Sequence, residues 1–316
     1  MVIIIGFALL YLGSKWMIDG AARFSILLGI PPFVVGITIV AFGSSAPEAV
    51  LALTAVATSS SDMAIGGIIG SNIANIGLVL GVSALFCPLI VKRGVLRREL
   101  GFMLLALILI SIMAIFGGYG FVGGMILLLA MTLFLGQMLL TLIRGYPISK
   151  GIQKKEEAKR VFKGGKWRQI QLLLIGLVIL IIGAQAIIWG AVGIAESLGI
   201  DQVIIGLTTI ALGTSLPELS ISVTAARRGE AAFVVSNILG SNIFNSLFIL
   251  GMAAALSPIA VPEELLWLEF PVMLILAGML AAFILWRGTI KKVEGVVFLT
   301  VYAGYIVLLA IRMNLL

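Results

Sequence analysis

The residues best suited to chemistry lie in two hexapeptides, GSSAPE at positions 43–48 and GTSLPE at 213–218. Each interrupts a long apolar run. Two further motifs, GSNIAN at 70–75 and GSNIFN at 240–245, follow in the next apolar run of each half. The reactive side chains are Ser44, Ser45, Glu48, Ser71 and Asn75 in the first set, and Thr214, Ser215, Glu218, Ser241 and Asn245 in the second. All of them offer oxygen. The chain has no histidine, and Cys87 is its single cysteine, so neither imidazole nor a thiolate cluster is available and no intramolecular disulfide can form. An all-oxygen donor set suits a hard cation such as Na⁺ or Ca²⁺ and is wrong for zinc or copper.

The backbone at these motifs adds to the donor set. Pro47 has no amide hydrogen, and its ring clashes with the carbonyl four residues back, at Gly43. A helix passing through Phe42–Ser45 must therefore leave carbonyls unpaired. In hydrocarbon this is tolerated only where protein, water or an ion satisfies them. Ser71 and Asn75 are four residues apart, as are Ser241 and Asn245, so each pair shares one helix face.

Charge balance points the same way. A carboxylate deep in an apolar span must be protonated or paired. Within the spans only Lys15 and Arg312 are basic. Lys15 has Asp19 one turn away as its simplest partner, and Arg312 lies near a helix end from which it can snorkel to water. Glu48 and Glu218 thus form a doubly acidic site with no internal counter-cation, which mobile cations or protons must fill.

The elements that position these residues are membrane helices. Of 316 residues, 61% are hydrophobic and 11% charged, far below the roughly 25% charged residues of a soluble domain. Apolar runs long enough to cross a bilayer predict ten spans, near 2–22, 31–57, 64–90, 99–117, 121–143, 170–192, 202–226, 231–257, 264–286 and 294–313. The first run lacks the basic start and the cleavage site of a signal peptide, so it is read as a helix of the mature protein. Alternate connections carry the basic residues: Arg23; Lys92, Arg93, Arg97 and Arg98; the segment 144–169; Arg227 and Arg228; and Arg287, Lys291 and Lys292. The other connections carry Asp62, Glu196, Asp201, Glu263 and Glu264. This alternation, which also accounts for the net charge of +7 without nucleic acid, places the basic side in the cytoplasm and both termini outside it. The 144–169 segment reads as a solvated linker, with contact to anionic lipid headgroups as the sharper alternative.

The chain also aligns with itself at a constant offset of 170. Gly36, Thr38, Ala41, Gly43, Ser45, Pro47 and Glu48 fall on Gly206, Thr208, Ala211, Gly213, Ser215, Pro217 and Glu218, and GSNIAN falls on GSNIFN. Matches at proline, glutamate, asparagine and serine are not explained by apolar composition. Five spans per half is an odd number, so the halves must enter the membrane from opposite sides, as in the inverted repeats of secondary transporters. The expected organisation is all-α: a five-helix repeat over 1–143, a basic linker over 144–169 and an inverted five-helix repeat over 170–316.

GSSAPE with GSNIAN, and GTSLPE with GSNIFN, resemble the two alpha-repeats of the cation/calcium antiporter superfamily, and its sodium/calcium exchanger branch most closely. The resemblance covers the whole chain. It implies a Na⁺/Ca²⁺ antiporter of the cell membrane working by alternating access, with about three Na⁺ per Ca²⁺ and one net charge per cycle, worth about 2.3 kcal/mol per 100 mV. It implies Ca²⁺ held by Glu48 and Glu218 with carbonyls at Ser44 and Thr214. Na⁺ would use Ser45, Ser71, Ser215, Ser241 and the carbonyls of Ala41 and Ala211, with Asn75 at the centre. The only bound species expected are the transported ions; no separate cofactor is implied, and a monomer carries the whole site. One departure bears on the ion set: some relatives, including the potassium-dependent branch, have Asp where Asn245 stands. Asparagine in both repeats weakens the case for K⁺ co-transport and removes a third carboxylate that could take up a proton.

A K⁺-dependent or Ca²⁺/H⁺ antiporter of the same fold is the alternative reading. A serine protease would need a base for Ser44 or Ser45, and a zinc protease would need H-E-x-x-H; neither is present. A diacid protease using the two glutamates has no motif support. A channel of this architecture would differ by lacking saturable flux that depends on a counter-ion.

Overall fold

The computed structural model describes residues 2–90, 96–143, 165–198 and 213–312. Helices dominate: α1 (Val2–Leu28), α2 (Pro32–Ser44), α3 (Ala46–Ala57), α4 (Ser61–Phe86), α5 (Arg97–Ile115), α6 (Phe121–Ile143), α7 (Gly165–Ser197), α8 (Leu216–Arg227), α9 (Ala231–Leu256), α10 (Glu263–Arg287) and α11 (Lys292–Arg312). Eight of these are long and apolar enough to cross a membrane, and α2 with α3 forms a ninth, bent span. The expected tenth span, 202–226, is described only from Gly213 onward. Ala211, Lys92, Arg93, Asp201 and most of the 144–169 linker lie outside the described residues.

The chain's internal symmetry is visible in pairs of contacts whose members are separated by 170 or 171 residues. Gly81 of α4 packs on Gly295 of α11, and Gly251 of α9 packs on Gly124 of α6. Two short β contacts repeat the pattern. Leu89 pairs with Ile290 in an antiparallel two-stranded ladder, β1 (Leu89–Ile90) with β2 (Thr289–Ile290). Tyr119 pairs with Ile259, exchanging two backbone hydrogen bonds of 2.8 Å. Positions 89 and 259 are equivalent in the two repeats.

The first helices of the two halves form an antiparallel pair at the edge of the molecule. Glycines recur every seven residues in both, at 6, 13 and 20 in α1 and at 176, 183 and 190 in α7. A Cβ added at Gly13 would lie 2.6 Å from the Leu180 amide nitrogen, and one at Gly183 would lie 2.7 Å from that of Leu10. The two backbones touch, which only small residues allow. Both helices keep large apolar side chains exposed on the other face, among them Ile4, Phe7, Tyr11, Val178 and Ile182, as a lipid-facing surface requires.

At the centre lie α4 and α9, the most enclosed of the long helices. Each contains one π turn, Asn75–Leu80 in α4 and Phe244–Ile249 in α9. A third π turn, Gly36–Val40, lies in α2. Hydropathy patterning gave no sign of these turns.

Candidate functional site

The first hexapeptide breaks its helix as the proline argument requires, and in the second a helix likewise starts just after Ser215. The α2 and α3 segments meet at 44°. Ser45 sits at the junction with φ −83° and ψ 10°, and Ser215 takes nearly the same conformation, φ −85° and ψ 1°. Pro47 and Pro217 fall in the first turn of the helix that follows, where a missing amide hydrogen costs nothing. Glu48 and Glu218 occupy that same first turn, at the positive end of the helix dipole. The break thus does two jobs: it opens the backbone, and it starts a new helix at the depth where the carboxylate sits.

The first break exposes fewer carbonyls than the sequence suggests. The Ala41 carbonyl accepts the Ser45 amide at 3.1 Å and the Ser44 hydroxyl at 3.3 Å. Ser45 in turn accepts the Ala49 amide at 3.1 Å. An ion bound to the Ser45 carbonyl would use its second lone pair, whereas one bound to the Ala41 carbonyl would have to displace the Ser44 hydroxyl, the longer of its two hydrogen bonds.

The predicted side chains converge. Glu48, Glu218, Ser44, Ser45, Ser71, Asn75, Ser215, Ser241 and Asn245 are all buried, and Thr214 is half-buried. The repeats brace each other across the site. The Ser45 hydroxyl donates to Glu218 Oε1 at 3.1 Å, and the Ser71 and Thr214 hydroxyls lie 3.4 Å apart. Ser71 and Thr214 also face the Glu48 carboxylate, as Ser44 and Ser45 face Glu218. A narrow cleft between α3 and α4, lined by Leu51, Ala52, Met63, Ala64 and Gly67, ends at Glu48 and Ser71.

Many of these polar atoms have no protein partner. Both carboxylate oxygens of Glu48, Glu218 Oε2, the hydroxyls of Ser215 and Ser241, and both amide atoms of Asn75 and Asn245 are buried without a hydrogen bond. Native interiors pair nearly all such groups. Three of the four oxygens of the two carboxylates are among the unpaired atoms, and the three ion pairs among the described residues leave both carboxylates out. The two buried carboxyl groups, of formal charge about −2 when ionised, are therefore left for cations or protons to balance.

Two expected pairings are corrected. Asp19 does not pair with Lys15. It accepts from Arg228 at 2.7 Å, because α1 lies against the C-terminal end of α8, whereas Lys15 is exposed. Arg312 does not simply snorkel: it holds the buried Glu269 carboxylate with two bonds, of 2.7 and 3.2 Å. Cys87 is half-buried just past the α4 C-terminus, as a packing role predicts.

Sequence reasoning also missed three features. Asn75 opens one π turn and Asn245 lies within the other, so both central amides sit where the helix is locally widened. Asn72 bridges the repeats, its amide donating to the Ser246 hydroxyl at 3.0 Å. Ser222 and Asn237 extend the buried polar surface one turn beyond Glu218 and Ser241. Their four-residue spacing from Glu218 and Ser241 was the available signal.

Comparison with known proteins agrees with this geometry. The family model "Sodium/calcium exchanger protein" matches residues 1–140 and 168–311. The chain is 34% identical over 313 residues to the putative antiporter CaxA of Alkalimonas amylolytica, covering 96% of each chain. It is 31% identical to the sodium/calcium exchanger MaX1 of Methanosarcina acetivorans over 98% of this chain and 97% of that one. It is also 33% identical to the inner membrane protein YrbG of Escherichia coli, over 98% and 94%. Among solved structures, the sodium-calcium exchanger NCX_Mj soaked with 10 mM Na⁺ and zero Ca²⁺ superposes with a TM-score of 0.83 at 31% identity, covering 97% of both chains.

Proposed function

Because the chain belongs to the sodium/calcium exchanger family of membrane transporters, we propose that it exchanges Na⁺ for Ca²⁺ by alternating access at the Glu48–Glu218 site. The observation that carries this reading is a pair of buried, repeat-related carboxylates, three of whose four oxygens have no hydrogen-bond partner and neither of which is in an ion pair among the described residues. A relative named as a sodium/calcium exchanger and a neighbour soaked with Na⁺ support the choice of ions.

Charge explains how one site couples the two ions. Na⁺ and Ca²⁺ both take oxygen ligands, so geometry alone separates them poorly. One Ca²⁺ neutralises both carboxylates, and so do two Na⁺. Any further Na⁺ must rely on hydroxyls and carbonyls around the same centre. Ca²⁺ is assigned to Glu48 and Glu218 with the carbonyls of Ser44 and Thr214. Na⁺ is assigned to Ser45, Ser71, Ser215 and Ser241 with the carbonyls of Ala41 and Ala211. Asn75 and Asn245 supply neutral amides at the centre. The Ser45–Glu218 bond makes one Na⁺ donor also a brace for a Ca²⁺ ligand, so filling one set of positions disturbs the other. Each ion set must leave before the other binds, and exchange is obligatory.

The proposed setting is the cell membrane, with both termini outside and the 144–169 linker in the cytoplasm, following the distribution of Lys and Arg. The deciding experiment is Ca²⁺ uptake into Na⁺-loaded proteoliposomes. The expected result is uptake that needs internal Na⁺, is competed by external Na⁺, responds to membrane potential and ignores K⁺ and proton gradients. Uptake driven by K⁺ or by a proton gradient would overturn the assignment within the same fold.

A further inference from the structure

The polar surface of the site does not end symmetrically. On the first repeat, one helical turn beyond Glu48 and Ser71 brings Ala52 and Gly67. On the second, one turn beyond Glu218 and Ser241 brings Ser222 and Asn237. Asn237, Ser241 and Asn245 are spaced by four along α9, and Glu218 and Ser222 by four along α8, so they form two facing stripes. The Asn237 amide nitrogen reaches the Ser222 hydroxyl at 3.4 Å, and both side chains are fully buried. The Asn237 carbonyl oxygen Oδ1 has no hydrogen-bond partner. A buried acceptor left unpaired costs about 1–3 kcal/mol, a cost that a cation at this position would offset.

We propose that Asn237 and Ser222 form a second, weaker cation station between the Glu218 site and the membrane face bearing Arg227 and Arg228. It would take the same hard cations, Ca²⁺ or Na⁺. One turn of helix is about 5.4 Å, a distance over which a partly hydrated ion can exchange a ligand of the main site for Asn237 Oδ1. Two neutral oxygens fall short of the six to eight that Ca²⁺ prefers, so water completes the shell and the station serves transit rather than storage. The opposite side, with Ala52 and Gly67, has no such station. This inference rests on the exchange reading above.

The test uses full-length protein in proteoliposomes of known orientation, with the apparent KM for Ca²⁺ measured separately at each face. Wild type must first show Na⁺-driven Ca²⁺ uptake; if it does not, the exchange reading fails before the station is judged. Ser222→Ala and Asn237→Ala are expected to raise KM at the Arg228 face at least 3-fold, with KM at the opposite face unchanged. Asn237→Asp, which keeps the shape and adds a charge, is expected to lower KM at that face. Ser222→Ala removes only a hydroxyl and keeps the test open if Asn237→Ala misfolds. Equal changes at both faces, no change in the Ser222→Ala variant, or a raised KM in Asn237→Asp would each overturn the station and leave a packing role for the pair.

Discussion

Glu48→Gln is the sharpest test of the ion site, because glutamine keeps the shape and removes one charge. Both Glu48 oxygens lack a hydrogen-bond partner, so the substitution removes charge without breaking a hydrogen bond, and the neighbouring Ser71 and Thr214 hydroxyls can still face the amide. The site falls from a formal charge of −2 to −1, and bound Ca²⁺ then leaves an excess of +1 among buried side chains. Removing one partner of a buried charge pair costs about 3–5 kcal/mol. The lower figure alone weakens Ca²⁺ binding by roughly 150-fold, at about 1.4 kcal/mol per decade. Thermal unfolding in detergent reads this directly. At a Ca²⁺ concentration of 100 times its Kd, wild type gains about 2.7 kcal/mol of stability; the variant at the same concentration gains about 0.3 kcal/mol. In ion-free buffer the variant is expected to be at least as stable as wild type, since two carboxylates without a counter-cation repel each other. A full Ca²⁺-induced shift in the variant, or an ion-free fold well below wild type in stability, would refute the reasoning. The first result would mean that Glu48 does not hold Ca²⁺, the second that the protein itself satisfies the carboxylate.

Gly13→Val pushes a branched side chain into the Leu180 backbone, where even the first carbon would lie 2.6 Å from the amide nitrogen; thermal unfolding and uptake should show a separated helix pair and lost transport. Arg312→Ala strands the Glu269 carboxylate, which is 4% exposed; with the arginine partly in water the expected loss is about 2 kcal/mol, toward the low end for a broken buried pair, and adding Glu269→Gln should restore most of it in a double-mutant cycle. Cysteines introduced at Lys159 and at Asp62, in a Cys87→Ala background, should react with an impermeant thiol reagent from opposite sides of the membrane; labelling from one side would disprove the inverted orientation of the repeats.

What could be read from the sequence was what hydrocarbon makes expensive. Glycine, proline, hydroxyls and glutamate inside an apolar run are conspicuous because each has a cost there, so the breaks at Ser45 and Ser215 and the burial of both glutamates followed directly. Partner choice was not. Asp19 has Lys15 nearby in sequence but Arg228 nearby in space, and only the packing of α1 on α8 decides between them. Glu269 and Arg312 are 43 residues apart and meet because the last helix returns beside α10. The π turns at Asn75 and Phe244 escaped notice because each merely widens one turn of a helix and leaves its apolar character unchanged.

The repeats share a backbone plan but differ in polar contacts, and the difference bears on the transport cycle. On one side α1 is tied to α8 by three contacts: Ser14 with Thr224 at 2.9 Å, Ser220 with the Leu10 carbonyl at 3.0 Å, and Asp19 with Arg228 at 2.7 Å. The equivalent positions between α7 and α3 hold Ala184 with Thr54, Val50 with Leu180, and Trp189 with Thr58. None of those pairs can form the corresponding side-chain bond. If alternating access exchanges the conformations of the two repeats, the state with α1 against α8 keeps three polar contacts and its mirror state lacks the counterparts of all three. Interhelical hydrogen bonds in membranes average about 0.6 kcal/mol, and a partly exposed ion pair adds up to about 1 kcal/mol. The bias is then about 2 kcal/mol, or roughly 30-fold in population at about 1.4 kcal/mol per decade. Ser14→Ala with Ser220→Ala should remove about half of it and move the apo protein toward the mirror state. Accessibility of a cysteine placed at Ala52, on the cleft beside Glu48, measures that shift without any ion present. If its labelling rate is the same in the double variant and the parent, these contacts do not set the balance between the two states.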